Sequence, residues 1–165
     1  MSAWSFADRA IRAACVALAE RLPSPTVYRG RAGRYLTRWP LVDRGRNASR
    51  LCLHFFHRSD EDQELHTHPW AWAVAIQLAG GYWETRRDAG SLWVRVLRRG
   101  PGSVVFLRPD TAHRVELLDR ERGSWSVILT GPITQSWGFY ERRAWRFTPW
   151  RDFILAKGIE PRSST

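Results

Sequence analysis

Short runs rich in β-branched and aromatic residues follow one another from about residue 26 to about residue 140. Turn residues separate these runs roughly every 8 to 12 positions, a spacing typical of an all-β sandwich or barrel. The runs read VYRG, RYLTRWPLV, RLCLHFFHR, WAWAVAIQLAGGYWETRR, SLWVRVLRRG, PGSVVFLRP, HRVELL and SWSVILTG. The pattern predicts an all-β fold across this region.

An amphipathic helix is predicted ahead of the strands, over about residues 3–22, because its apolar residues recur at helical spacing. They are Trp4, Ala7, Ile11, Ala14, Cys15, Leu18 and Leu22. Pro23 and Pro25 follow and would end the helix. A second, shorter helix is predicted over about residues 148–160, with Thr148 as its N-cap and Pro149 after it.

The chain has 165 residues and shows no repeat and no linker, so we expect one domain over 1–165. The N-terminus lacks the uninterrupted apolar centre of a signal peptide, and no apolar run is long enough to cross a bilayer. These features predict a soluble, cytoplasmic protein with no membrane partner. Cys15 and Cys52 match no metal or redox spacing, and we expect both to be reduced thiols in the core.

The net charge is +10, and Lys157 is the only lysine among 26 basic residues. Such a charge could attract an anionic partner such as nucleic acid. The arginines are scattered, however, and form neither a basic block nor a basic helical stripe. We favour solvated charges and keep nucleic acid binding as an alternative.

Three histidines indicate a metal site. His66 and His68 lie two residues apart in LHTHPW, so on an extended chain both side chains point to the same face. His113 follows a strand and a proline-containing turn about 45 residues downstream, in GSVVFLRPDTAH. Imidazole nitrogens presented side by side in this way could share one metal ion.

These segments resemble the two motifs of the cupin superfamily. HTHPWAWAVAIQLAG is similar to the first motif and PGSVVFLRPDTAH to the second, and the likeness spans about residues 50–130. The HxHPW…GGYxE signature and the tail also resemble small uncharacterised bacterial and phage cupins. The resemblance implies a double-stranded β-helix, a jelly-roll barrel, with a metal ion inside it. It implies His66, His68 and His113 as ligands.

The glutamate of the first cupin motif is absent, because Ala73 stands at its place. A site with histidine ligands alone resembles the thiol dioxygenases and the β-diketone-cleaving dioxygenases, and this implies Fe(II). Zinc, manganese, nickel and copper also suit such ligands. Either Glu64 or Glu84 could replace the missing carboxylate as a fourth ligand, and the spacing does not choose between them.

The strand that follows the first motif supplies candidate residues around the metal. On the strand after the motif, alternation puts small residues and Gln77 on the face of Ala73. This face either opens a cavity or packs against large aromatics. The candidate substrate or proton-transfer residues are Gln77, Glu84, Arg108 and His54. Arg38 is a further candidate carboxylate clamp, but we expect it to be exposed.

The sequence thus predicts a mononuclear three-histidine iron dioxygenase, an oxidoreductase acting on a small anionic metabolite. Metal-dependent isomerases and lyases share this kind of site and are alternatives. A non-catalytic binding module, or a phage-type accessory protein that contacts nucleic acid through its basic surface, is a further alternative. Cupins often pair through their sheets, which makes a homodimer an expectation as well.

Overall fold

The computed structural model describes residues 6–30, 33–45, 47–141 and 145–158. These residues form twelve strands and two helices. The elements are α1 (Phe6–Ala19), β1 (Thr26–Gly30), β2 (Gly33–Asp43), β3 (Arg50–Phe56), β4 (Leu65–His66), β5 (Ala73–Ala79), β6 (Tyr82–Arg87), β7 (Arg95–Arg99), β8 (Val104–Leu107), β9 (Ala112–Leu117), β10 (Ser124–Thr130), β11 (Gly138–Tyr140), β12 (Phe147–Pro149) and α2 (Trp150–Ala156).

The strands form two six-stranded antiparallel sheets. The first has the order β1-β2-β3-β10-β5-β8, and the second has the order β12-β11-β4-β9-β6-β7. Most neighbouring strands come from distant parts of the chain, as β10 does between β3 and β5. This interleaving is the jelly-roll arrangement that the resemblance to cupins implies, and the all-β fold with an N-terminal and a short C-terminal helix is confirmed.

Two apolar clusters build most of the core. The first holds Trp70, Ala73 and Ile128 with residues of β3 and β8. The second joins Cys15 of α1 to residues of the first sheet, among them Trp125. Cys15 and Cys52 are free thiols, and both are buried, as expected. The helix α1 therefore covers one part of the first sheet from outside.

The face of α1 that meets the sheet differs from the predicted one. Ile11 and Leu18, which the sequence placed on the packed face, are 38% and 40% exposed. Asp8 is 5% exposed and faces the barrel. Its carboxylate accepts hydrogen bonds from the backbone N–H of Gly80 at 2.9 Å and from Arg12 Nε at 2.8 Å. Polar anchoring, which apolar spacing cannot reveal, sets the rotation of this helix.

Gly80 allows the helix and a neighbouring turn to come close to the end of β5. Its φ of +74° lies in the left-handed region that favours glycine. A Cβ here would lie 2.5 Å from the carbonyl oxygen of Gly123. Glycine is therefore required at the point where α1 is anchored.

The C-terminal region begins with a strand that the sequence does not predict. Thr148 of β12 pairs with Phe139 of β11 instead of capping the helix. Pro149 is the N-cap of α2 and makes no side-chain hydrogen bond there. Residues 3–5 and 159–160, at the ends of the two predicted helices, lie outside the described residues. Neither described helix is long and apolar enough to cross a bilayer.

Candidate metal centre

The second sheet brings the histidines of the two motifs together. The short strand β4 lies between β9 and β11, and its residue His66 is directly opposite His113. Residues directly opposite each other in adjacent strands present their side chains on the same face. His68 follows two residues later, after buried Thr67, whose N–H donates to the Gly138 carbonyl at 2.9 Å. The three imidazoles therefore converge from two strand segments far apart in sequence.

The three rings form a nearly equilateral cluster. The ring centroids of His66 and His68 are 5.0 Å apart, those of His66 and His113 are 4.9 Å apart, and those of His68 and His113 are 5.0 Å apart. One donor nitrogen of each residue lies within 4.8 Å of the other two. Among the described residues, this is the cluster of histidine, cysteine and carboxylate groups that could hold a metal ion.

The distance between two of the ring nitrogens matches the separation expected for two ligands of one metal ion. The Nε2 atoms of His68 and His113 are 2.9 Å apart. Nitrogen ligands lie about 2.0–2.1 Å from a zinc ion, so two of them at roughly a right angle are separated by about 3 Å. The donor set and its spacing therefore fit one divalent transition-metal ion.

A buried carboxylate fixes the orientation of His113. His113 Nδ1 lies within hydrogen-bond distance of Glu84 Oε1, at 3.0 Å, and this contact directs the opposite ring nitrogen, Nε2, at the cluster. Glu84 is 0% exposed, and Arg99 donates to its other oxygen at 2.7 Å. Burial alone would raise the pKa of Glu84, but the His113 and Arg99 interactions outweigh it and lower that pKa. Glu84 is therefore an anionic support for the ligand.

His66 and His68 are held by other neighbours. The Nδ1 atom of His66 lies 3.7 Å from Asp60 Oδ2, which leaves Nε2 as the available donor. Asp60 is itself fixed, because it accepts hydrogen bonds from the Tyr35 hydroxyl and from the Val115 N–H. The ring of His68 stacks on Trp70 with centroids 4.6 Å apart. Each ring is thus restrained before a metal ion arrives.

Burial keeps two of the three ligands, His66 and His68, neutral. It lowers the pKa of His66 to about 4, although Asp60 opposes this shift. It also lowers the pKa of His68 well below the usual value, and nearby His113 and His66 add to the effect. Neutral imidazole is the form that binds metal, so at pH 7 these two residues need lose no proton.

A cavity of about 490 Å³ opens beside the cluster, and all three histidines line it. Much of its remaining wall is apolar or aromatic. The lining includes Trp70, Ala75, Tyr82, Val105, Leu107, Ile128, Ile133 and Trp137. This volume is in the range of small-molecule sites.

Two of the predicted substrate contacts lie elsewhere. Gln77 is buried but does not line the cavity; its amide donates to Ser124 Oγ at 2.6 Å and to the Trp125 carbonyl at 2.6 Å. The side chain of Arg108 is 63% exposed and pairs with Asp110 at 3.3 Å. Strand alternation gives the face of Gln77 and not its distance from the cavity, and Arg108 lies in an exposed turn after β8.

Neither candidate fourth ligand joins the cluster. Glu64 is directed at Lys157, whose Nζ lies 3.5 Å away. Glu84 contacts the outer nitrogen of His113 instead of the position that a metal would take. The site of the missing motif glutamate is closed by packing, since Ala73 is 1% exposed and belongs to the apolar cluster of Trp70.

His54 and Arg38 line the cavity together. Arg38 Nε donates to His54 Nε2 at 2.7 Å, so the expectation that Arg38 is exposed is wrong. No sequence pattern pointed to Asp60 or Tyr35, which lie in a polar loop and on an early strand. Only the register of β2 against β3 places Arg38 beside His54.

Two antiparallel sheets in jelly-roll order, with a histidine pair and a distant third histidine in a cavity, define a cupin fold. No protein-family profile matches the sequence, and no curated protein matches it. Solved structures nevertheless show the fold. A structure of the DMSP lyases RdDddP and RnDddQII has a TM-score of 0.57 and 18% identity, covering 77% of this chain and 65% of that one.

Two further structures are similar. The cupin-2 domain Rru_A2000 from Rhodospirillum rubrum has a TM-score of 0.52 and 12% identity, covering 82% of this chain and 81% of its own. Fe(II) HppE in complex with substrate has a TM-score of 0.52 and 11% identity, covering 68% of this chain. The matched region spans only 57% of the HppE chain. At these identities the likeness concerns the fold.

Proposed function

We propose that this protein is a mononuclear metalloenzyme, a non-haem iron dioxygenase that acts on a small anionic molecule. One observation carries the proposal: three restrained imidazoles converge beside a cavity large enough for a small molecule. The fold is shared with HppE, whose structure contains Fe(II), and this agrees with iron as the metal.

The chain's own residues would prepare the site in three ways. His66, His68 and His113 would hold the ion without contributing negative charge. Glu84 keeps the His113 ring oriented from outside, and Asp60 lies beside the outer nitrogen of His66. When bound, Fe(II) supplies open coordination positions and redox chemistry with dioxygen. A dioxygenase places both oxygen atoms in the product, so no external reductant is needed.

The neutral ligand set supports an anionic substrate. Because no carboxylate joins the three histidines, a divalent ion would keep its full positive charge. Apolar walls around it lower the local dielectric and strengthen its attraction for a negative group. An uncharged substrate would leave that charge uncompensated, and this favours an anion.

We expect anaerobic loading with Fe(II) to give a protein that consumes dioxygen with one of three substrate classes: thiols, diketones or keto acids. Oxygen uptake and product formation are measured together on wild type, on His68→Ala and on His57→Gln. His57 is a matched control, because its ring is hydrogen-bonded to Thr37 Oγ1 at 2.8 Å and does not line the cavity. Activity should be lost in His68→Ala and retained in His57→Gln.

The outcomes separate the alternatives. Turnover without oxygen uptake would replace the dioxygenase with a metal-dependent isomerase or lyase. Metal binding without turnover of any class would favour a non-catalytic binding module. Activity that survives His68→Ala would contradict the assignment of the site itself.

The structure does not favour the nucleic-acid alternative by any specific observation. Among the described residues, several arginines lie against carboxylates, which offsets part of their charge locally. The pairs include Arg50 with Asp43, Arg95 with Asp88, Arg99 with Glu84 and Arg114 with Glu116.

A further inference from the structure

A positively charged group lies in the cavity wall without an acidic partner. Arg38 lies on β2, directly opposite His54 on β3, and both line the cavity. Its Nη1 donates to the Tyr28 hydroxyl at 3.2 Å, and its Cζ lies 5.5 Å from the ring centroid of Trp70. Since Trp70 stacks on His68, the guanidinium is near the histidine cluster and separate from it.

Within the described part of the chain, no carboxylate lies within ion-pair distance of Arg38. Arg50 also lines the cavity, but it is paired with Asp43 at 3.1 Å. The single lysine, Lys157, is paired with Asp62 at 2.6 Å. Among the described residues that line the cavity, Arg38 therefore carries a positive charge that no carboxylate compensates.

His54 holds this guanidinium in place. It is 3% exposed and accepts the Nε–H of Arg38 through its Nε2. Burial and the charge of Arg38 both lower the pKa of His54, in agreement with a neutral acceptor ring. Guanidinium has five N–H donors in a fixed planar fork. With Nε and Nη1 already occupied, the remaining donors are available to a ligand.

The rest of the wall indicates the character of that ligand. Ala75, Val105, Leu107 and Ile128 form an apolar surface in the same cavity. A small, fully polar metabolite would leave this surface without contacts in a space of about 490 Å³. An apolar body attached to the anionic group would fill it, and burial of that body would contribute to binding.

We propose that Arg38, positioned by His54, binds the carboxylate of a substrate. The apolar body of that substrate would lie against the apolar surface described above. One guanidinium matches a single negative charge, and a carboxylate fits its planar fork in two parallel hydrogen bonds. The inference rests on the proposed function for the substrate's reaction, but the binding itself needs no metal. It makes Arg38 a specificity-determining residue and His54 a positioning residue.

Phenylacetate and its uncharged analogue phenylacetamide test this assignment. Binding is measured by calorimetry on the full chain, both metal-free and metal-loaded. In the metal-free protein we expect Arg38→Met to weaken phenylacetate binding by about tenfold or more, because a charge-assisted hydrogen-bonded pair is lost. Phenylacetamide binding should change little. Arg34→Met is the matched control, since Arg34 is exposed on the same strand.

His54 provides a second measurement. His54→Leu removes the acceptor of the Arg38 Nε–H, and we expect a severalfold loss of phenylacetate affinity with unchanged phenylacetamide affinity. His54→Gln restores an acceptor and should recover part of the loss. A merely structural role would affect both ligands alike and would show no such recovery.

Equal phenylacetate affinity in wild type and Arg38→Met would overturn the proposal, as would failure of wild type to bind phenylacetate at all. In the metal-free protein, tighter binding of doubly charged benzylphosphonate than of phenylacetate would contradict a site for a single charge. If His68→Ala and wild type both fail to bind metal while phenylacetate binding still depends on Arg38, the proposed function fails and this inference stands.

Discussion

Replacing His113 with alanine is expected to lower the affinity for a divalent metal ion by more than about 100-fold while the fold persists. Changes in residues that only support a ligand already cost about 10- to 100-fold, and this change removes a ligand whose Nε2 lies 2.9 Å from that of His68. Metal content after loading with Fe(II) or Zn²⁺ and gel filtration measures the effect. Circular dichroism verifies the β-structure.

His57→Ala provides the control for the loss of an imidazole. His57 follows directly after strand β3. Its ring is hydrogen-bonded to Thr37 of β2, away from the cluster. It should retain one ion per chain. If His113→Ala keeps the same metal content and affinity as this control, His113 is not a ligand.

Glu84→Gln is expected to lower the free energy of unfolding of the metal-free protein by about 3 kcal/mol. Breaking a buried ion pair by removing one charge typically costs about 3–5 kcal/mol, because the remaining charge is left uncompensated. Here that charge belongs to Arg99, whose Nη2 lies 2.6 Å from Glu84 Oε2. Urea unfolding measures the change.

The same substitution should lower metal affinity by about 10- to 100-fold, because a neutral amide supports the His113 ring less well than an anion does. Glu116→Gln is the matched control. Glu116 lies two strand positions after Arg114 and pairs with it at 3.0 Å, with its side chain 38% exposed. An exposed pair contributes about 0–1 kcal/mol. If both variants lose stability equally and bind metal like wild type, Glu84 has no special role.

The fold and the histidine cluster could be predicted because each depends on a local pattern. Period-two runs and turn residues determine the strands. The spacing of His66 and His68 places both rings on one face, whatever the rest of the chain does. Similarity to the cupin motifs then links His113 to them, and β4 and β9 place it directly opposite His66.

The surroundings of the cluster depend on contacts between distant segments. Gln77 lies on the strand that the sequence predicts, but its amide is hydrogen-bonded to Ser124 and Trp125 and does not line the cavity. Arg38 enters the cavity because the register of β2 against β3 brings it to His54. The pattern of a single sequence does not give the register between paired strands. It therefore misplaces both residues.

The predicted face of α1 fails for a related reason. Hydrophobic spacing favoured Ile11 and Leu18, but the barrel contacts Asp8 and Arg12. Arg12 Nη1 donates to the Arg122 carbonyl at 2.7 Å, and Asp8 accepts from Gly80. A few specific hydrogen bonds to backbone groups outweigh the partial exposure of two aliphatic side chains.

X-ray absorption of the zinc-loaded protein reports the number and distance of the histidine ligands, because Zn²⁺ is redox-inert and its ligand distances are well defined. The structure predicts one ion per chain with three imidazole nitrogens at about 2.0–2.1 Å, contributed by His66, His68 and His113. A spectrum with fewer than three imidazoles, or a protein that retains no zinc, would contradict the metal centre.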